Sequence, residues 1–193
     1  MFSKPLLIHG GGGGEKQVIA FTSPSNLTSN GTLGGDSFAV YSWAYRSPSD
    51  GSTAGTVWDE TTDNNVSRYP AYNAFDASSS TFCVIPAYPD AHGFLIIYNP
   101  YPINIQAINI TMRSSAYGMR SFYLQGSNDG VNYTNIEYFT QGSSSVSTWA
   151  INVTSYSDYY TYYRFEIDRG SRDSIAYANV QMKNIVVTGT QLV

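Results

Sequence analysis

The sequence predicts an all-β protein, a sandwich of short antiparallel strands, and three observations carry that reading. Apolar and polar residues alternate at period two through much of the second half, as in strands with one buried and one wet face. The composition is 15% aromatic, with 17 Tyr, but only 12% charged, which suits strands and starves long helices of Glu and Lys. Asp129-Gly130 separates two alternating runs, where Asp-Gly supplies the positive φ of a tight hairpin. No segment carries a helical period.

Taken in order, residues 1–14 read as an N-terminal tether. A short peptide, Met1-Phe-Ser-Lys-Pro-Leu-Leu-Ile-His9, precedes the glycine run from Gly10 to Gly14, and such a run is the most flexible linker a chain carries. Phe2, Leu6, Leu7 and Ile8 are the candidate anchors that dock this tether on a partner, the plainer reading being a disordered terminus. The apolar stretch is far shorter than a signal-peptide core or a membrane span. The expectation is a protein made without a secretory signal and without membrane insertion.

Residues 15–193 form the sandwich domain. Residues 17–21 and 37–44 read as strands, and the polar stretch 46–68 as a long loop of the kind used for binding or insertion. Cys83, the single cysteine, lies in Thr-Phe-Cys-Val-Ile and reads as a buried small hydrophobe. Strands follow at 93–98, at 103–112 with Ile108, Ile110 and Met112 in alternation, at 121–125 with Phe122 and Leu124, and at 133–139. Trp149 reads as core. Residues 162–167 alternate through Tyr163, Phe165 and Ile167. In 179–188, Val180 and Met182 keep one phase and Ile185 and Val187 the other, which a β-bulge near Lys183-Asn184 reconciles. Short strands joined by such turns imply a sandwich or jelly roll.

Charge narrows the function. The net charge of −4, with no dense Lys/Arg stripe, argues against nucleic acid as a ligand. The two histidines, His9 and His92, show no metal-ligand spacing with cysteine, and no nucleophile stands out to pair with a base. Carboxylate neighbours such as Asp59 with Glu60, or Asp168 with Asp173, arise routinely among 14 acidic residues. No catalytic residue is nominated, and an enzyme is not expected. Asn-x-Ser/Thr sequons at Asn26, Asn30, Asn65, Asn109, Asn132 and Asn152 are what a chain rich in Asn, Ser and Thr yields by chance.

Four blocks carry a resemblance. Ala74-Phe-Asp-Ala-Ser-Ser-Ser-Thr81 resembles the Ala-Phe-Asp-Gly-x-x-x-Thr loop of discoidin-like (coagulation-factor C-type) domains and galactose-binding-like carbohydrate-binding modules. Phe122-Tyr-Leu-Gln-Gly-Ser-Asn-Asp-Gly130 is similar to their most recurrent strand and turn. Tyr162-Tyr-Arg-Phe-Glu-Ile167 resembles their late strand with its Arg, and the stretch from Val180 to Gly189 their closing strand. The blocks occur in the family's order across residues 69–189. The resemblance implies a galactose-binding-like jelly-roll β-sandwich, while the ligand stays open because this scaffold hosts many functions. Upstream, Asn26-Leu-Thr-Ser-Asn-Gly-Thr-Leu-Gly-Gly35 and Phe38-Ala-Val-Tyr-Ser42 are similar to the opening of such domains in bacteriophage tail and fibre proteins.

The resemblance also implies sites. In many relatives the Asp loop holds a structural Ca²⁺, which places Asp76, Ser78 and Thr81 as ligands. The closing-strand ligand falls at Asn184, whose neutral amide weakens the site relative to a carboxylate. Sugar binding in carbohydrate-binding relatives occurs at the loop end, through rings that stack on sugar faces and Arg, Asn or His that bond hydroxyls. The candidates are Tyr41, Trp43, Tyr45, Tyr88, His92, Arg113 and Tyr117, in or beside predicted loops; each on its own is more ordinarily structural. Trp58 is the best single candidate, because no apolar pattern surrounds it.

The expectation is a non-catalytic bacteriophage virion protein, of a tail or head fibre or decoration, that binds host surface glycan. It is tied to other virion proteins by its N-terminal peptide and self-associates symmetrically, gaining avidity. The alternatives are a purely structural virion adaptor that binds no sugar and, further off, a bacterial lectin module.

Overall fold

The structure is a computed structural model that describes residues 6–7, 16–46, 57–58, 68–86, 91–114, 118–141, 147–167 and 179–193. Among the described residues eleven strands run in chain order: β1 (Leu6–Leu7), β2 (Gln17–Thr22), β3 (Ala39–Arg46), β4 (Val57–Trp58), β5 (Cys83–Pro86), β6 (Ala91–Met112), β7 (Ser121–Ser127), β8 (Thr134–Thr140), β9 (Thr148–Asn152), β10 (Tyr160–Ile167) and β11 (Asn179–Leu192). A 3-10 helix covers Ala71–Phe75. The predicted all-β class holds.

The long strand β6 organises the molecule. Its first half pairs with β3 on one side, Tyr98 opposite Ala39 through Ala91 opposite Arg46, and with β10 on the other. Its second half leaves β3, keeps one pairing with β10 at Ile103, and pairs along its length with β11 and β9, with Ile110 opposite both Ile185 and Trp149. One strand therefore serves both layers of the sandwich, switching between them at Asn99-Pro100-Tyr101-Pro102. The sequence read two strands here, because prolines lack the N–H that a ladder needs. Across this switch, Tyr98 pairs with Tyr162 and Ile103 with Tyr160, so the excess residues form a bulge and the strand continues.

The core lies between the layers. Leu95 and Ile97 from the first half of β6 meet Ile103, Ile105, Ile108 and Ile110 from the second, joined by Phe122, Leu124, Tyr163, Phe165, Val180 and Val187. In β10 the buried positions Tyr163, Phe165 and Ile167 alternate with half-buried Tyr162, Arg164 and Glu166, as the period predicts. Trp149 packs edge-on against Phe122 with centroids 5.5 Å apart, and Cys83 is a buried free thiol pushed up to about 12 by desolvation. Both match their readings, and a thiol so held is inert.

The expected bulge is present: register along β11 shifts between Met182 and Asn184, turning Ile185 and Val187 into the core. A second shift follows at Gly189, where a Cβ would stand 1.9 Å from the Asn104 carbonyl oxygen. Glycine is required there by close approach of two backbones. At the β7–β8 turn, Gly130 has φ +72, as its Asp-Gly signal demands. Asp129 closes that turn by accepting from the Val131 and Asn132 backbones at 2.8 Å, from Asn132 Nδ2 at 2.7 Å and from Ser127 Oγ at 2.9 Å.

Candidate functional site

The strand registers collect many chain ends at one pole of the sandwich. Arg46 meets Ala91, Gly93 meets Ile167, Ser121 meets Thr140, Thr111 meets Thr148 and Pro86 meets Asn179. Arg113 follows β6 at this pole. Its backbone N–H donates to the Gln181 carbonyl at 3.0 Å, and its Nη1 donates to Gln181 Oε1 at 2.7 Å. The guanidinium lies 4.2 Å from the Phe82 ring centroid, and that ring stacks on Tyr69 at 4.4 Å with Arg68 5.7 Å from Tyr69. Phe82 is buried while Arg113 is exposed. The result is a cation held over a ring and oriented by an amide, which fixes its direction before any ligand arrives.

The other sequence candidates divide. Tyr45 pairs with His92 and Trp58 with Ala44, so the backbones of Tyr45, His92 and Trp58 lie at this same pole. Trp43, opposite Phe94, and half-buried Tyr41, opposite Ile96, sit progressively deeper in β3. Tyr88 and Tyr117 lie outside the described residues, as do Phe2 and Ile8 of the tether. Leu6 and Leu7 form β1, paired antiparallel with Val18 and Gln17.

Tyr41 and Trp43 stand inside β3, Tyr45 and His92 are the second residues from the ends of β3 and β6, and Trp58 belongs to a two-residue strand. Pairing with β6 overrides the weak local pattern of these polar segments. Tyr69, Phe82 and Gln181 are the neighbours that sequence reasoning missed. They come from three separate stretches, and only the β5–β11 register brings them under Arg113.

Arg164, noted in the late strand, has a structural post. Its Nε donates to Gln125 Oε1 at 2.6 Å, and its guanidinium lies 4.0 Å from the Tyr133 centroid and 5.0 Å from that of Phe94. Gln125 passes the network on to Asn135 at 2.7 Å and Glu166 at 2.8 Å. This network ties β7, β8 and β10 together on one face.

The Asp76 loop forms a separate region. Asp76 Oδ1 accepts from the Ser78 N–H at 2.8 Å and Oδ2 from the Thr81 hydroxyl at 2.7 Å, while Ser78 Oγ accepts from the Ser80 and Thr81 backbones. Ala77 stands at φ +59 where the similar motif has Gly. Beside the loop opens a cleft of about 440 Å³ whose far wall is Thr111 of β6 with Lys183, Asn184 and Val186 of β11. A hard Ca²⁺ takes six to eight oxygens and favours carboxylates. Here both Asp76 oxygens already close the loop, Asn184 is neutral, and Lys183 adds a positive charge to the same wall. Among the described residues no three His, Cys, Asp or Glu side chains gather as metal ligands. This donor set does not fit a divalent cation.

No protein-family model matches the sequence, and no curated protein is significantly similar to it. Solved structures do match. The F5/8 type C domain of a Bacteroides fragilis protein aligns over 80% of this chain and 92% of its own at TM-score 0.54 and 12% identity. The fold is that of the discoidin-like domains. Two Clostridium perfringens structures agree: CpGH89CBM32-6 covers 80% of this chain and 95% of its own at TM-score 0.52 and 15% identity. A family 32 CBM described in complex with galactose covers 77% and 93% at TM-score 0.50 and 12% identity. The discoidin-like fold read from four short blocks is thus present across the described domain, on a sequence that has kept few residues in common with these neighbours.

Proposed function

We propose that the chain is a non-catalytic carbohydrate-binding domain whose ligand docks at the strand-end pole beside Arg113. The observation that carries this reading is the placement of an exposed guanidinium on the Phe82 ring, oriented by Gln181. A planar fork of N–H donors suits the paired hydroxyls of a sugar, and the backbones of two aromatic residues, Tyr45 and Trp58, come to the same pole. The discoidin-like fold supports the reading, because one structural neighbour is described in complex with galactose.

At the finer level, the domain serves on a bacteriophage particle and takes host surface glycan. Support comes from the likeness of residues 26–42 to the opening of such domains in phage tail and fibre proteins. The N-terminal peptide, through Phe2, Leu6, Leu7 and Ile8, ties it to other virion proteins, and symmetric copies raise a weak single-site affinity by avidity. The test is a glycan-array screen of the purified protein followed by calorimetry, with Arg113→Ala alongside. Saturable binding that Arg113→Ala lowers by about tenfold or more supports the reading. Absence of binding to every glycan would overturn it in favour of a structural adaptor.

A further inference from the structure

The cleft beside the Asp76 loop has a chemistry of its own. Its walls come from three places: Ser25 after β2, the loop residues Ala77 to Ser79, and the outward positions Thr111, Lys183, Asn184 and Val186 on β6 and β11. The lining therefore holds one ammonium, several hydroxyls and an amide, with apolar surface at Ala77 and Val186. It holds no carboxylate, because Asp76 is turned into its own loop by bonds to Ser78 and Thr81. Among the described residues no carboxylate pairs with Lys183. Ala77 forms part of the wall in a left-handed conformation, φ +59.

We infer that this cleft binds a carboxylate-bearing pyranose, a uronic-acid type of sugar, with Lys183 on the carboxylate and the hydroxyl and amide walls on the ring. A volume of about 440 Å³ accommodates a monosaccharide with room for neighbouring residues of a chain. The single positive charge matches a monoanion, and the lining offers no second cation for a phosphate dianion. The apolar surface, which makes up most of the exposed lining, meets the C–H positions of the ring. The cleft shares the end of β6 with the Arg113 pole but is lined by none of Arg113, Phe82 or Gln181, and its charge preference is opposite to that of a Ca²⁺ site.

The test titrates isotope-labelled full-length protein with glucuronate, glucose and inorganic phosphate, following backbone amide shifts. Glucuronate is expected to move the amides of Lys183, Asn184 and Ser78 saturably, with glucose weaker by about tenfold or more because the charge-assisted bond is missing. Lys183→Met should abolish that preference at unchanged melting temperature, Thr111→Val should weaken both sugars, and Arg113→Ala should leave the cleft response intact. Equal response to glucose and glucuronate, a tighter response to phosphate, or full glucuronate binding by Lys183→Met would each overturn the inference. Because Arg113→Ala is read in parallel, failure here is distinguishable from failure of binding at the strand-end pole.

Discussion

The two poles of the sandwich use polar side chains in opposite ways. At the pole where β6 changes layer, they are spent on backbone. Tyr163 donates to the Ile103 carbonyl, Tyr156 donates to Tyr163 at 2.9 Å and accepts from the Ile105 N–H at 2.8 Å, and Asn104 donates to the Asp158 carbonyl at 2.9 Å. Burial raises both phenols, Tyr156 to about 12, so they remain neutral donors at any physiological pH. At the opposite pole Arg113 is held by a ring and an amide at the surface. The first pole is a clamp for irregular backbone, and the second is a positioned donor facing solvent. A sandwich that fixes its fold at one pole leaves the other to vary with ligand.

That contrast can be broken at the clamp. Gly189→Ala forces a Cβ onto the Asn104 carbonyl oxygen, with no flexible side chain to yield, and should cost about 3 kcal/mol in urea unfolding. A cost near zero would mean that the two backbones are not in close approach. Tyr163→Phe removes a buried hydroxyl between Ile103 and Tyr156 and should cost about 1–3 kcal/mol, while leaving any glycan affinity unchanged.

Acid sharpens the comparison on the clamp side. The hydrogen bonds from Asn132, Val131 and Ser127 hold the Asp129 carboxyl below the usual carboxylate range. A group whose folded pKa is depressed contributes stability above its unfolded pKa and loses it as pH falls toward the folded one. Wild-type stability should therefore decline as pH drops through about 4 and below. Asp129→Asn should start lower at neutral pH and decline less, as read by melting temperature across an acid series. A parallel decline in both proteins would remove Asp129 as the cause.

The smallest effect concerns calcium. With both Asp76 oxygens closing the loop and Lys183 on the neighbouring wall, adding calcium or a chelator should leave the melting temperature unmoved. A rise of several degrees with calcium would show that the loop accommodates the ion after all.

What the sequence revealed follows the same physical division. Strands with one wet face announce themselves by period two, so β10 and the second half of β6 were legible, as was the bulge where β11 changes phase; β7, buried on both faces, was legible from its apolar residues and the Asp-Gly turn that follows it. The short strands β4, β5 and β9 were not, because a few residues carry no period and are strands only by virtue of their partners. Arg113 could be picked out as a cation after a strong strand. Its support could not, since Gln181 lies 68 residues away and Phe82 belongs to a run that reads as plain core.

The central claim is tested most directly by calorimetry of wild type and Arg113→Ala against the best glycan from an array screen. The account predicts saturable binding by the wild type, loss of about tenfold or more in the variant, and matched unfolding curves. Equal affinity in the two proteins would contradict the placement of the site at Arg113, and absence of any glycan binding by the wild type would contradict the function itself.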